Sequence, residues 1–529
     1  MRRAATVQVS AAHFIAILLS CLLADRANAQ NSVQCVIDAR QDVHPISRLI
    51  YGVNGPLGGQ WANLTFTRIG GNRTTAYNWV TNASNAGNDY HFQSDGFFGG
   101  GSTPGGGYLP SIQNASSQNA GILITIPING YVAADESGPV NIKDPARFTT
   151  RFKPELPAKN APFSLAPDPH APAVYQDEFV NWVKTKFPYG QSDPNRPIYF
   201  QLDNEPDIWA ETHPEVHPNK VTYAELLQRS IAYSAAIKNV IPTTLVYGPV
   251  NYGYGGIYDL QQAPDANGRD FETFYLSGMA SASAAAGHRL LDVLDIHWYP
   301  EATGGGVRIT EGKTQPAVVA ARLQAPRSLW DSTYTETSWI TNKIHGSINL
   351  LPTLQRTIDR NFPDTRLSVS EYNYGGGSDI SGAIAEADVL GIFGKLNVFS
   401  ANEWPLDSSE SFIAAAMAMY RNFDGRKATF GDTSVAATDS DPVNTSLYAS
   451  VDSKNSGEMV IVAINKTAAP VTANFDIRNA QRFARADVYQ LTSKSARPAL
   501  AGQFTLQDPT HFNYPMPPMS VSTIHLTVP

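Results

Sequence analysis

Cysteine is nearly absent: the 529 residues contain two, Cys21 and Cys35. Cys21 falls in an N-terminal stretch read below as a cleaved leader. Cys35 is then alone, which excludes an intramolecular disulfide and any cysteine-built zinc centre in the mature chain. Stability must come from core packing. Charge is also scarce, at 16 % of residues, and there is no basic excess, the net charge being −8. That balance excludes an electrostatic nucleic-acid binder, because phosphates repel an acidic surface. Long apolar runs are missing too. The longest, over about residues 14–23, is too short to span a bilayer comfortably, so no membrane partner is expected. No internal repeat, no charged tail and no Glu-x-x-His pairing is present, so no metal is expected in catalysis.

What is present is glycine (40), proline (36) and aromatic residues, including 23 Tyr and 8 Trp, a composition that suits a loop-rich extracellular enzyme. Met1-Arg2-Arg3 is basic, the apolar run follows, and Ala27-Asn28-Ala29 supplies a small-x-small site before Gln30. This is the order of a secretory signal peptide over residues 1–29. The mature chain is therefore expected outside the cytoplasm, secreted or periplasmic, and as a monomer.

Eight short β-rich runs end in polar or aromatic residues: 49–54, 66–70, 122–129, 198–204, 244–249, 293–299, 367–372 and 398–404. Each is mostly apolar, as for parallel strands buried on both faces. Helical patterns fill several gaps. Phe179, Trp182, Val183 and Phe187 share one face, and Thr222 with Glu225 reads as a capping box ahead of Leu226, Leu227, Ile231 and Ala235. Strands alternating with helices predict an α/β fold, a (β/α)8 TIM barrel over residues 49–422. Past residue 422 helical periodicity stops, and β-type runs separated by turns predict a C-terminal antiparallel β-sandwich over residues 423–529. Residues 30–48 precede the barrel and are expected to add a strand to that sandwich.

The fourth run ends LDNEP and the seventh ends SVSEYN. Strand C-termini surround a single active site in such barrels, so Glu205 and Glu371 meet although 166 residues separate them. Glycoside hydrolysis needs such a pair: a protonated carboxyl for the leaving oxygen and an ionised one on the other side of the anomeric carbon. Glu205 is assigned as acid/base and Glu371 as nucleophile. A carboxyl separation of about 5–5.5 Å gives retention and about 6.5–9.5 Å gives inversion; strand position, by analogy, favours the shorter. Asn204 is placed to hydrogen-bond a sugar 2-hydroxyl.

Aromatic rings at strand ends and in loops supply stacking faces for sugars. Trp61, Trp79, Trp330 and Trp404 are candidates, with Trp404 best placed at the end of the eighth run. Tyr299 could bond the nucleophile. His297 could orient it, or be a satisfied core histidine. Of the competing acids Asp203 and Asp207, strand alternation is expected to turn Asp203 away. Asp89 and Asp95 lie in a polar loop, 82–96, that leaves room for a structural calcium ion.

The stretches LDNEPDIWAETHPEVHP, LDIHWYPEA, RSLWDSTYTETSWI and SVSEYNYGGGSDISGAIAEADVLGIFGKLNVFSANEWP resemble glycoside hydrolase family 44. The resemblance implies a barrel with an attached β-sandwich and a retaining endo-β-1,4-glucanase or xyloglucanase acting on a β-linked polysaccharide. It matches the family's acid/base to Glu205 and its nucleophile to Glu371, and it adds weight to a structural calcium. One position departs from the pattern: Glu403 stands where the family usually has an apolar residue before Trp-Pro. Two other readings remain: an exo-acting glycosidase such as an arabinofuranosidase, and a non-catalytic carbohydrate-binding protein.

Overall fold

The computed structural model describes residues 31–529; the expected leader lies outside the described residues. Eight parallel strands close a barrel in chain order: Gly52–Val53, Phe66–Ile69, Gly121–Ile126, Ile198–Leu202, Val246–Asn251, Val293–Trp298, Arg366–Tyr372 and Ser400–Glu403. Each overlaps one of the eight runs expected from sequence. The eighth closes on the first through Asn402 opposite Gly52 and Glu403 opposite Val53.

The barrel interior is layered, and the layering follows from alternation. Phe66, Leu123, Tyr247 and Val293 cluster near the strand N-termini, with Tyr199 and Phe399 packed against them. Side chains of one strand repeat their direction every second residue. One step up, the inward positions are therefore Arg68, Thr125, Gln201 and Asp295, all polar and buried. Buried polar groups are costly unless hydrogen-bonded, and these are linked. Arg68 Nε donates to Gln201 Oε1 at 2.6 Å, and Gln201 Nε2 donates to Asp295 Oδ2 and Ser370 Oγ, both at 3.2 Å. An apolar plug thus carries a polar layer, and the candidate carboxylates stand above it.

The helices answer to their surroundings. Helix Tyr223–Val240 is capped by Thr222, whose hydroxyl accepts from Glu225 N at 3.0 Å. The reciprocal half of the expected capping box is replaced: the Glu225 carboxylate takes Arg229 at 3.0 Å and His217 at 3.1 Å. Helix Ile380–Lys395 is buried from Ile380 to Gly394, because the barrel covers one side and the C-terminal sheet the other. Its two acids are matched. Tyr372 Oη donates to Glu386 at 2.8 Å, while Lys466 and Tyr448 from the sheet reach Asp388 at 2.7 and 2.6 Å. Removing one partner of such a buried pair costs about 3–5 kcal/mol.

The C-terminal region is one curled, mostly antiparallel sheet of ten strands with a separate apolar core. The N-terminal strand Ser32–Asp38 lies inside it, antiparallel to Thr433–Asp439 and parallel to Val471–Arg478. Cys35 is buried there, where desolvation pushes its thiol up to about 12; it behaves as a small apolar residue.

Candidate active site

Two backbone irregularities aim the carboxylates. Strand Ile198–Leu202 runs into Asp203 at φ 67° and Glu205 at φ 49°, both left-handed. Such conformations cost about 1 kcal/mol or more for a non-glycine residue and mark functional sites when the surroundings enforce them. Here Glu205 N is held by Val250 O at 3.1 Å, and Val250 itself sits at φ 69°. This corrects the sequence argument about Asp203. Residues two apart share a face in a regular strand, so alternation does not separate Asp203 from Glu205. The left-handed turn does, and Asp203 instead accepts from Thr75 Oγ1 and Ile128 N, each at 2.6 Å.

The second irregularity is a bulge in strand Arg366–Tyr372. Ile296 pairs with Val369 and His297 with Glu371, which makes Ser370 an extra residue. Ser370 already points inward to Gln201, so plain alternation would send Glu371 outward. The bulge re-aims it into the mouth.

The two carboxyls meet around His297. One oxygen of Glu205, Nδ1 of His297 and one oxygen of Glu371 lie within 4.8 Å of one another. Nδ1 is 2.8 Å from Glu205 Oε1 and 3.4 Å from Glu371 Oε2. Tyr299 Oη donates to Glu371 Oε2 at 2.8 Å, and Arg68 Nη1 reaches Glu371 Oε1 at 2.5 Å. Arg68 Nη2 donates to Asn204 Oδ1 at 2.7 Å, and Gly71 N adds a second donor at 3.1 Å. The amide oxygen of Asn204 is thereby occupied, and its NH2 turns toward the Glu205 carboxyl.

Burial sets the protonation states. It pushes the Glu205 carboxyl up to about 7 against the pull of Arg68. It drives His297 down to about 3, with Glu371 opposing and Arg68 assisting. The ring is therefore neutral, and its Nδ1 faces both carboxyls. Burial, then Glu371 and Glu205, hold the Tyr299 hydroxyl well above its usual range, so it stays a donor. Asp207 is buried beside the site and raised to about 7. It is engaged with Tyr252 N at 2.9 Å and Gln261 Nε2 at 3.2 Å, so it braces the loop.

The structure brings together Glu205, Glu371, Asn204, His297, Tyr299 and Trp404. The Trp404 indole lies against Gly71, where even a Cβ would come within 2.7 Å of Cη2. Three of the tryptophans named from sequence lie elsewhere. Trp79 is 1 % exposed, with Nε1 bonded to Tyr175 O at 3.2 Å and its ring against Phe179; it is core. Trp61 is buried at a tight turn closed by its own pairing with Gly58. Trp330 is exposed, but beside Lys395, at the last turn of the helix that descends from Glu371, and so at the opposite end of the barrel. There it lines a groove of about 220 Å³ with Leu396, Pro442 and Tyr448. Arg68 was missed. Its signal was a lone cation near the end of an otherwise apolar run.

Asp95 is committed to Arg73 at 2.6 Å, and Asp89 stands on the exposed side of the same loop. Among the described residues, three His, Cys, Asp or Glu side chains converge within 4.8 Å only at Glu205, His297 and Glu371.

Similarity to known proteins bears on this arrangement. The profile of glycoside hydrolase family 44 matches residues 83–302. Endoglucanase A of Paenibacillus lautus is 39 % identical over 98 % of this chain and 76 % of its own length. The chain belongs to glycoside hydrolase family 44. Its fold is the family 44 fold: the xyloglucanase of that family from Paenibacillus polymyxa superposes at a TM-score of 0.90, with 40 % identity over 94 % of this chain and all of the other. The family 44 endoglucanase of Clostridium thermocellum gives 0.89 at 40 % identity, with the same coverage. This family 44 chain is a glycoside hydrolase.

Proposed function

We propose that the protein is a secreted, monomeric endo-β-1,4-glucanase that cleaves xyloglucan or a related soluble β-glucan with retention of configuration. The observation that carries retention is the approach of Glu205 and Glu371 to within 4.8 Å around His297, in keeping with the roughly 5–5.5 Å carboxyl spacing of retaining enzymes. Little room is left for a water between carboxylate and sugar.

The residues divide the work. Glu371, held by Arg68 and Tyr299, attacks the anomeric carbon as Glu205 gives its proton to the departing glycosidic oxygen. A glycosyl ester on Glu371 results. A water molecule then gives a proton to Glu205 and attacks the same carbon, and the ester bond to Glu371 breaks. Glu205, raised to about 7, keeps the proton it must deliver through mildly acidic and neutral pH. Neutral His297 spaces the carboxyls without adding charge. The NH2 of Asn204, which also bonds Glu205, is placed for the sugar 2-hydroxyl, and Trp404 offers a ring face beside it.

The substrate reading draws on a family 44 xyloglucanase solved with xyloglucan and on relatives named endoglucanase. Secretion draws on the order of residues 1–29. The deciding experiment is a reducing-end assay across xyloglucan, carboxymethyl cellulose, lichenan, mannan and xylan, with viscosity followed in parallel. Rapid loss of viscosity on xyloglucan supports the proposal. Early release of monosaccharide alone, or ligand binding with no new reducing ends, overturns it. The anomer first formed, read by NMR, tests retention.

A further inference from the structure

The eighth barrel strand, Ser400–Glu403, ends in a buried glutamate. Glu403 is 0 % exposed. Its Oε1 accepts from Asn373 Nδ2 at 2.6 Å, and the same nitrogen donates to Trp404 O at 2.8 Å. Asn373 Oδ1 closes the unit by accepting from Gly375 N at 2.5 Å. Asn373 thus links three things: the segment just past Glu371, the backbone of Trp404 and the Glu403 carboxyl. Glu403 Oε2 has no partner in the structure.

The charged groups acting on Glu403 are acidic, and the buried cation in this region, Arg322, is engaged with Asp379, Asp407 and the carbonyls of Tyr374 and Ile309. Glu410 precedes helix Ser411–Arg421, Glu386 lies on helix Ile380–Lys395, and Asp407 is in the connecting loop. Glu410 is also buried, with Oε2 unpartnered. Three buried carboxyls with no cation among them cannot all ionise. Nor do their oxygens converge as a metal site would require, since among the described residues only Glu205, His297 and Glu371 do so. Protons are the remaining neutraliser.

We propose that Glu403 is a positioning residue, a buried and uncharged carboxylic acid that orients Asn373 and, through it, sets the Trp404 indole at the catalytic mouth. The inference rests on the reading of Trp404 as a sugar platform. Burial and the neighbouring carboxyls agree with it, raising Glu403 well above the carboxylate range, Glu386 to about 8 and Glu410 to about 7. The sign follows. A carboxyl whose folded pKa is raised supports the fold fully below its unfolded value, about 4.5, and that support is lost as pH rises toward the folded value.

Two substitutions test it. Glu403→Gln preserves size and an acceptor oxygen and cannot ionise. It should melt higher than the parent, by a margin that widens as pH rises from about 5 to about 8. Glu403→Leu stays buried but loses the acceptor. Its KM on polysaccharide should rise about threefold or more with kcat little changed, and Glu403→Gln should recover most of that loss. A melting gain independent of pH overturns the uncharged state. Parental KM in Glu403→Leu, or equal loss in both variants, overturns the positioning role. Should Glu403→Leu fail to fold, the melting profile of Glu403→Gln decides alone. Melting needs no turnover, so failure here is distinguishable from failure of the glucanase assignment.

Discussion

Arg68 and Glu371 form a buried ion pair, Nη1 to Oε1 at 2.5 Å, between the second and seventh barrel strands. The same guanidinium bonds Asn54, Gln201 and Asn204. One planar cation therefore braces the Glu371 carboxyl, fixes the Asn204 amide next to Glu205 and ties both to the polar layer below.

Arg68→Lys should lower kcat/KM on xyloglucan by about 10²-fold or more, because an ammonium cannot bond four partners in a planar fork. Initial rates check this. Near-parental activity would remove Arg68 from the mechanism.

Glu205→Gln should lose about 10²- to 10⁴-fold on polysaccharide but far less on aryl glycosides whose leaving groups need no proton. Glu371→Ala should be inactive, with added azide restoring turnover and giving a glycosyl azide of inverted configuration. Equal losses on both substrate types in Glu205→Gln, or full activity in Glu371→Ala, would reverse the roles.

The pH profile carries the Glu205 shift. The general acid works only while protonated, so kcat/KM should fall as pH rises through about 7. Glu205→Gln, assayed on aryl glycosides, should lack that limb in the glycosylation step. His297 acts on stability with the opposite sign. Its folded pKa is depressed to about 3, so the support it gives is present above its unfolded value of about 6.5 and is lost as pH falls from there toward 3. Melting curves of the parent and His297→Asn should converge over that acidic window; a constant difference would contradict a buried neutral ring.

Trp404→Ala should weaken polysaccharide turnover severalfold through loss of ring contact with the sugar. Trp330→Ala should leave it unchanged, because Trp330 lies at the far end of the barrel beside Lys395. Measuring both on one substrate separates the cleft tryptophan from the remote one.

Much of this was legible along the chain. Apolar runs at strand length, broken by helical periodicity, placed eight strands, and strand order alone explains why Glu205 and Glu371 share a mouth. Asn204, His297, Tyr299 and Trp404 were found by the same logic, as polar or aromatic residues at strand ends. These features are local: a strand and its last residue are determined by neighbours in sequence.

The rest was decided in three dimensions. Direction at the mouth depends on the left-handed turn at Asp203 and Glu205 and on the extra residue Ser370, and both are set by register against adjoining strands. Whether a tryptophan faces a cleft, a core or a remote groove depends on what packs across it. Trp61, Trp79 and Trp330 were indistinguishable from Trp404 by composition. Arg68 looked like an interruption in an apolar strand until barrel closure brought it to Glu371, 303 residues away. With few charges and one described cysteine, the sequence determined that packing would build the fold. Tertiary structure decided which of those few charges would meet inside it.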